Sequence, residues 1–420
     1  MLDIKTIREN PEQIADAIQS KGAQVDFEGI LRDDKRRRDL IVEADALKAE
    51  RNTVSAEIPK KKKGGEPVDE IMARMRAVGD RIAEIDIEIR AVEEKLRDTL
   101  LRIPNSPHES VPRGDESQNR TVRSWGEPPT FDFAPLPHWE IGPKLGVLDL
   151  AAGAKISGAG FYVLRGAGAR LQRALIAYML DTHTADGFIE IVPPYVVSSA
   201  TMTGTGQLPK MAADMYKIEG EDLWLIPTAE VPVTNLHSDE ILPGETLPLS
   251  YCAYTPCFRK EAGAAGKDTR GMIRVHQFDK VEMVRFCHPD SSYNELEKLT
   301  LQAEKLLVGL GIPYRVKLLA SGDLSFASAK TYDLELWAAG AKSWLEISSV
   351  SNFEAFQARR MNTRFRATDR KLDFPHTLNG SGLALARLIP AILENYQTAR
   401  GTVVVPAVLR PYMGGMTEIV

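Results

Sequence analysis

Apolar residues at Ile71, Met75, Val78, Ile82, Ile85, Ile89, Val92 and Leu96 follow one another at steps of 4, 3, 4, 3, 4, 3 and 4, with charged residues filling most of the gaps. That alternation keeps a single apolar seam on one side of a helix, the a/d pattern of a coiled coil. Upstream, Leu40, Ala44, Leu47, Val54 and Ile58 repeat it, with Arg51 in one seam position. Between the seams lies PKKKKGGEP, Pro59 to Pro67, whose prolines and glycines predict the end of one helix and the turn into the next. The pattern therefore predicts an antiparallel helical hairpin over about 31–102. Helices of roughly 30 residues, at about 1.5 Å per residue, make an arm of about 45 Å. From periodicity alone such an arm serves either dimerisation or ligand recognition.

The texture changes at Arg102 to Asn119, RIPNSPHESVPRGDESQN, which lacks an apolar period and reads as a linker. It predicts two domains, 1–112 and 113–420. Beyond it, ARLQRALIAYMLDTHTADG and YNELEKLTLQAEKLLVGLG carry helical stripes, and GLALARLIPAILENYQ predicts a long C-terminal helix. FIEIVPPYVV, LWLIPTAEVPV and SWLEISSVSNF are strand-like. Strands joined by hairpins, without regular βαβ alternation, predict an α+β domain with an antiparallel sheet flanked by helices.

Composition narrows the function classes. The 420 residues are 43% hydrophobic and 26% charged, with a net charge of −5, so no global field advertises nucleic acid. The arm segment is nearly balanced, with 18 basic and 17 acidic residues, but Lys35 to Arg38 and Lys60 to Lys63 form local clusters able to meet phosphates. The N-terminus carries charges throughout and lacks a secretory apolar stretch, and no run of about 18 uncharged apolar residues predicts a membrane span. Cys252, Cys257 and Cys287 make neither a disulfide framework nor a good zinc signature. The expected compartment is the cytoplasm.

The candidate chemistry sits in CFRKEAGAAGKDTRGMIRVHQFDKVE, Cys257 to Glu282. Its GAAGKDT is not a P-loop: counting back from Gly266 and Lys267, the first glycine position is Glu261 and the hydroxyl position is Asp268. The flanking segments have strand composition, so the glycines predict the turn of a long hairpin, able to bend and move. Alternation would place Arg259 and Glu261 on one face of the first strand, and Arg274, His276, Phe278, Lys280 and Glu282 on one face of the second. Cations for polyphosphate, a ring for a base and carboxylates for an ammonium group would then share a surface.

At these residues the chain resembles the seryl-tRNA synthetases of bacterial type, a family of class II aminoacyl-tRNA synthetases. FRKEAGAAGKDTRGMIRVHQFDKVE resembles motif 2, GFIEIVPP motif 1 and LNGSGLALARLIPAILENYQ motif 3. The similarity extends to MLDIKTIRENPE, the hairpin, GTGQLPK, PTAE, LEISSVSN and VVVPAVLRPYM, and so covers essentially the whole chain. It implies a class II catalytic domain that joins L-serine to the α-phosphate of ATP, then passes the seryl group to the 3′ end of tRNA(Ser), and of tRNA(Sec).

The resemblance also implies residue roles. Arg259, Glu282 and Arg387 match the family's catalytic positions, with Arg259 bridging the serine carboxylate and the α-phosphate. ATP would be held by Arg259, Lys260, Glu261, Arg274, Val275, Phe278, Glu346, Ile347, Ser348, Ser349 and Arg387, with adenine on Phe278 and Arg387 over its other face. Thr228, Ala229, Glu230, Arg259, Glu282, Asn379 and Ser381 match the serine pocket, and Glu346 with Ser349 the Mg²⁺ ligands. A site that hydrogen-bonds a substrate hydroxyl rejects analogues lacking it by about 10⁴ to 10⁵, which disposes of alanine and glycine; threonine is left to shape.

In the family the arm grips the long variable arm of serine tRNA, and motif 1, Gly187 to Pro194, forms a homodimer. This chain departs from common family residues at Gly160, Phe353 and Ala386. A ligase for a carrier protein would be expected to lack the arm, and a catalytically dead RNA-binding relative to lack Arg259, Glu282, Glu346 or Arg387.

Overall fold

The computed structural model describes residues 1–262, 270–367 and 370–420. The chain forms two compact units, Leu2–Pro104 and Asn105–Val420, the latter including Met1. The division falls before the expected 112/113 boundary because the linker-like run is tied to the larger unit. The Asn105 side-chain amide donates to the carbonyls of Ala327 at 3.0 Å and Phe353 at 2.8 Å. Val111 is buried against Leu319 and Leu324, and the Pro112 carbonyl accepts from the Ser321 N–H at 2.8 Å. Proline and serine in a sequence do not reveal that their backbone has partners elsewhere.

In the smaller unit, α1 (Phe27–Lys63) and α2 (Asp69–Leu101) form the antiparallel hairpin. The Asp26 carboxylate caps α1 by accepting from the Gly29 N–H at 2.8 Å. Leu40, Ala44 and Ile85 form the buried seam, with Leu47, Ile89 and Val92 packed on it. Ion pairs staple the flanks, among them Arg81–Glu43 at 2.9 Å and Lys95–Asp33 at 2.7 Å. Each exposed pair contributes at most about 1 kcal/mol, so the seam carries most of the stability. The expected break at Pro59 does not occur: α1 runs through it to Lys63, and the chain turns at Gly64 and Gly65. Lys60 to Lys63 are good helix formers placed where positive charge favours a helix C-terminus, which offsets the hydrogen bond that proline removes.

The larger unit is built on eight strands: β1 (Arg120–Trp125), β2 (Ile189–Glu190), β3 (Leu249–Phe258), β4 (Gln277–Cys287), β5 (Tyr314–Leu318), β6 (Lys330–Ala338), β7 (Ser343–Asn352) and β8 (His376–Ala384). They lie in the order β1-β5-β6-β7-β8-β4-β3-β2, antiparallel except for the β2–β3 edge pair. Helices α3 (Ala167–Ala185), α4 (Ser292–Leu310), α5 (Phe356–Met361) and α6 (Leu385–Asn395) accompany the sheet. The expected C-terminal helix begins only at Leu385, because Gly382 to Ala384 still belong to β8.

Alternation along β4 sorts the interior. Val281, Met283 and Cys287 face the main core, shared with Leu175 and Met179 of α3, Leu296 and Leu299 of α4, and Leu388 and Ile392 of α6. Val284 and Phe286 enter a second core with Tyr251, Ala253, Leu242 and Met361. Earlier on the same face as Val284 stand Phe278, Lys280 and Glu282. The face that is apolar at one end of β4 is thus charged at the other, and the site begins where the second core stops.

Candidate active site

Phe278 and Lys280 line a cavity of about 570 Å³ together with Arg259, Glu261, Arg274 and Val275 from the two limbs of the hairpin, Thr228 and Glu230 from the PTAE segment, Glu346, Ile347 and Ser349 of β7, Asn379 and Ser381 of β8, and Arg387 of α6. The hairpin is shorter than alternation predicts. Its last ladder pair is Phe258 with Gln277, followed by one bond from the Arg259 N–H to the His276 carbonyl at 2.9 Å. The Lys260 N–H then turns to the Asp214 carbonyl, so Glu261 and Arg274 reach the cavity from irregular backbone. His276 does not share their surface: its N–H donates to the Gly160 carbonyl and its ring packs on Phe161. A side chain at Gly160 would strike that ring, which accounts for the glycine there. The glycine-rich turn whose mobility the sequence suggests, 263–269, lies outside the described residues.

Two bulges aim the neighbouring strands. Residues three apart on a regular strand point to opposite faces, yet Glu346 and Ser349 both line the cavity. Asp333 pairs with Ser349 and Leu334 with Ser348, but Glu335 pairs with Glu346, leaving Ile347 as the extra residue that reverses the parity. On β8, Ser381 pairs with Glu282 and Ala384 with Lys280, again with one residue too many on one side.

At one end of the cavity, two carboxylates converge. Glu282 is 1% exposed and lies beneath the cavity wall, accepting from Asn379 Nδ2 at 2.9 Å and from Lys280 Nζ at 2.5 Å, with Ser381 Oγ at 3.5 Å. Glu230 is 7% exposed and accepts from Gln357 Nε2 at 2.7 Å. The orientation of that amide is fixed, since Gln357 Oε1 accepts from the Thr377 hydroxyl at 2.7 Å. Burial, and after it the charge of Glu282, pushes Glu230 up to about 7, against the opposing influence of Gln357, Lys280 and Arg259.

At the other end, the Arg259 guanidinium lies 5.1 Å from the Phe278 ring centroid, and its Nε donates to the Pro227 carbonyl at 3.3 Å. Arg387 donates to the Glu346 carbonyl at 2.5 Å and stands 3.4 Å from that residue's carboxylate; Arg274 pairs with Glu261 at 3.4 Å. One guanidinium over the ring and two more lining the same cavity suit a purine bearing phosphates. Near Ser349, Asp333 keeps a buried Oδ1 with no hydrogen-bond partner among the described residues, and its carboxyl is held well above the usual range by burial and then by Glu346. A hard cation on Glu346 and Ser349 fits this surplus of oxygen donors.

Not every residue singled out by the sequence reaches the cavity. Ala229 is buried in the second core, Lys260 extends over the Tyr216 ring at 5.6 Å, and Ser348 donates to the Ser381 carbonyl at 2.6 Å. Phe353 and Ala386, two of the departures from family pattern, do line it. Gln357 and Thr377 carry no sequence motif. Only the packing of α5 against β8 brings them to Glu230.

Comparison with known proteins agrees at every scale. Residues 1–107 match the family described as seryl-tRNA synthetase N-terminal domain, and residues 215–396 the tRNA synthetase class II core domain (G, H, P, S and T). The chain is 55% identical over 417 residues to a serine–tRNA ligase of Carboxydothermus hydrogenoformans, covering 99% of this chain and 98% of that one. It is 55% identical over 422 residues to that of Geobacter sulfurreducens, covering both fully. Its fold is similar to the seryl-tRNA synthetase of Pyrococcus horikoshii complexed with ATP, with a TM-score of 0.93 and 41% identity over 100% of this chain and 99% of the other. It is also similar to the cytoplasmic enzyme of Naegleria fowleri in complex with AMP, with a TM-score of 0.89 and 33% identity over 100% and 98%.

Proposed function

We propose a residue-level mechanism from the premise that the chain belongs to the seryl-tRNA synthetase family and is a class II serine–tRNA ligase. L-serine lies with its α-ammonium group between Glu230 and Glu282 and its hydroxyl toward Asn379 and Ser381, while Thr228 closes the wall. ATP lies with adenine on Phe278, its edge along the backbone at Val275, and its phosphates among Arg259, Arg274 and Arg387. A carboxylate oxygen of serine then attacks the α-phosphorus, the bond to pyrophosphate breaks, and no proton need move. Positioning and charge neutralisation carry the step. Glu346 and Ser349 would hold Mg²⁺, which supplies charge neutralisation to the phosphates.

The convergence of Arg259, Phe278 and Glu230 on one cavity, with Glu282 directly behind the lining residues Asn379 and Lys280, carries this reading. A cation–ring pair meets a carboxylate pair across a space sized for a small ligand beside a nucleotide.

In the second step the ribose hydroxyl at the 3′ end of tRNA(Ser) attacks the acyl carbon, the bond from that carbon to the phosphate oxygen breaks, and AMP departs with the hydroxyl proton on its phosphate; tRNA(Sec), also a serine acceptor, is a second substrate. The arm grips the tRNA, and the contact belongs to its tip. Arg36, Arg37 and Arg38 are engaged by Glu88, Glu93 and Asp34, whereas Lys60, Lys62 and Lys63 are exposed and free of ion pairs among the described residues. Two copies pair through motif 1, where Ile189 is 53% and Val192 80% exposed. No helix among the described residues is long and apolar enough to cross a membrane, and we place the reaction in the cytoplasm with the translation machinery.

ATP–pyrophosphate exchange with each of the twenty amino acids tests the reading. Serine alone supports exchange, and Arg259→Ala abolishes it while the fold persists. Near-normal exchange by that variant overturns the assignment.

A further inference from the structure

His138 opens the short helix His138–Lys144, and Glu394 stands near the end of α6; both side chains are completely buried. Glu394 Oε1 lies 2.8 Å from His138 Nδ1 and accepts from the His138 backbone N–H at 2.9 Å. Its Oε2 accepts from the N–H groups of Gly340 and Ala341, both at 2.9 Å. The Met272 backbone N–H points at Nε2 at 3.2 Å, so that nitrogen is an acceptor and the imidazole proton sits on Nδ1, facing Glu394 Oε1.

Met272 stands just before the residues by which the second limb of the hairpin enters the site. The next three residues, Ile273, Arg274 and Val275, all line the cavity. Just before it, Gly271 adopts φ +71°, and a Cβ there would lie 1.9 Å from His138 Nε2. Glycine is required at this position twice over, for its left-handed backbone and for the close passage over the imidazole. Glu394, His138, Gly271 and Met272 thus form one continuous contact chain from α6 to the returning limb of the hairpin.

We propose that His138, held in one tautomer by Glu394, is a positioning residue for ATP: it pins Met272 and so sets where the Ile273–Val275 wall and the Arg274 guanidinium meet the nucleotide. His138 touches no substrate. The inference rests on the assignment of this end of the cavity to ATP. The serine end is built from Thr228, Glu230, Glu282, Asn379 and Ser381, none of which contacts this anchor, so ATP and serine should respond differently to its loss.

The test is steady-state pyrophosphate exchange with KM measured separately for ATP and serine. His138→Asn keeps a donor near the Nδ1 position for Glu394 but removes the acceptor from Met272. It should raise KM for ATP about tenfold, the effect of one lost buried hydrogen bond, with KM for serine within about twofold. His138→Gln, whose longer amide places an oxygen near the Nε2 position, should return KM for ATP toward the wild-type value. Gly271→Ala, with His138 intact, should raise KM for ATP as His138→Asn does, and it carries the test should the histidine variants fail to fold. Phe278→Ala serves as the control for the ATP assignment. If it raises KM for ATP while His138→Asn and Gly271→Ala do not, the clamp is refuted and the ATP site stands. If none of them does, the ATP assignment fails. Equal increases in both KM values with no rescue by glutamine overturn the positioning role in favour of a general packing one.

Discussion

Serine capture should release a proton near neutral pH, and Glu230 is the group that loses it. Burial and the charge of Glu282 push its carboxyl up to about 7, and the serine α-ammonium would favour the ionised form. With half of the sites protonated at pH 7, each serine bound there should release about half a proton. Apparent affinity should be near its maximum around pH 8 and fall about tenfold between pH 8 and pH 6, about 1.4 kcal/mol. The charged groups facing Glu230 are Glu282, Lys280 and Arg259, and no histidine lines the cavity among the described residues, so other titrations in this window act from a distance. Calorimetric titration of the enzyme with serine alone, in two buffers of different ionisation enthalpy, reads the proton directly and avoids the titration of ATP. Glu230→Gln should abolish the buffer dependence and weaken binding. Gln357→Met removes the donor that favours the ionised form and should move the whole profile to higher pH by about one to two units, since a hydrogen bond to a charged group contributes roughly 1.5–3 kcal/mol. Affinity that is flat from pH 6 to 8, with heats independent of buffer, would refute the reasoning.

The same residue should make ligand-free protein more stable in acid. A carboxyl whose folded pKa is raised from 4.5 to about 7 contributes stability that is fully present below pH 4.5 and lost as pH rises through 7. Glu230→Gln should therefore raise the unfolding free energy of the larger unit at pH 8, by up to about 3 kcal/mol, and change it little at pH 5. Replacing Lys60, Lys62 and Lys63 with alanine should weaken tRNA charging and flatten its dependence on salt, leaving serine-dependent pyrophosphate exchange unaltered; replacing Arg36 and Arg37 should have the smaller effect on charging, because ion pairs already engage them.

Much of the fold was legible because its signals are periodic. The seam from Ile71 to Leu96 needed only a helical repeat to predict α2, and β4 needed only a period of two to place Phe278, Lys280 and Glu282 together. The failures share a cause: a local rule was overruled by contacts distant in sequence. Pro59 reads as a stop but stands within a helix whose last turn is basic. Pro- and Ser-rich residues after Arg102 read as a free linker, but Asn105 and Pro112 bond to chain more than 200 positions away. Alternation put His276 beside Arg274, but the ladder ends at Gln277 and the parity rule ends with it. Glu346 and Ser349 illustrate the converse, since an unbroken strand would separate them and the bulge at Ile347 unites them. Gln357 and His138 lay beyond sequence reasoning altogether, each being defined by one buried partner that only the packed chain supplies.

A crystal structure of the protein soaked with a non-hydrolysable seryl-adenylate analogue tests the central geometry most directly. The account predicts adenine against Phe278, the linking phosphate within hydrogen-bonding reach of Arg259, and the α-ammonium nitrogen within about 3.2 Å of Glu230 or Glu282. An analogue bound with its ammonium group away from both carboxylates, or seated outside this cavity, would contradict it.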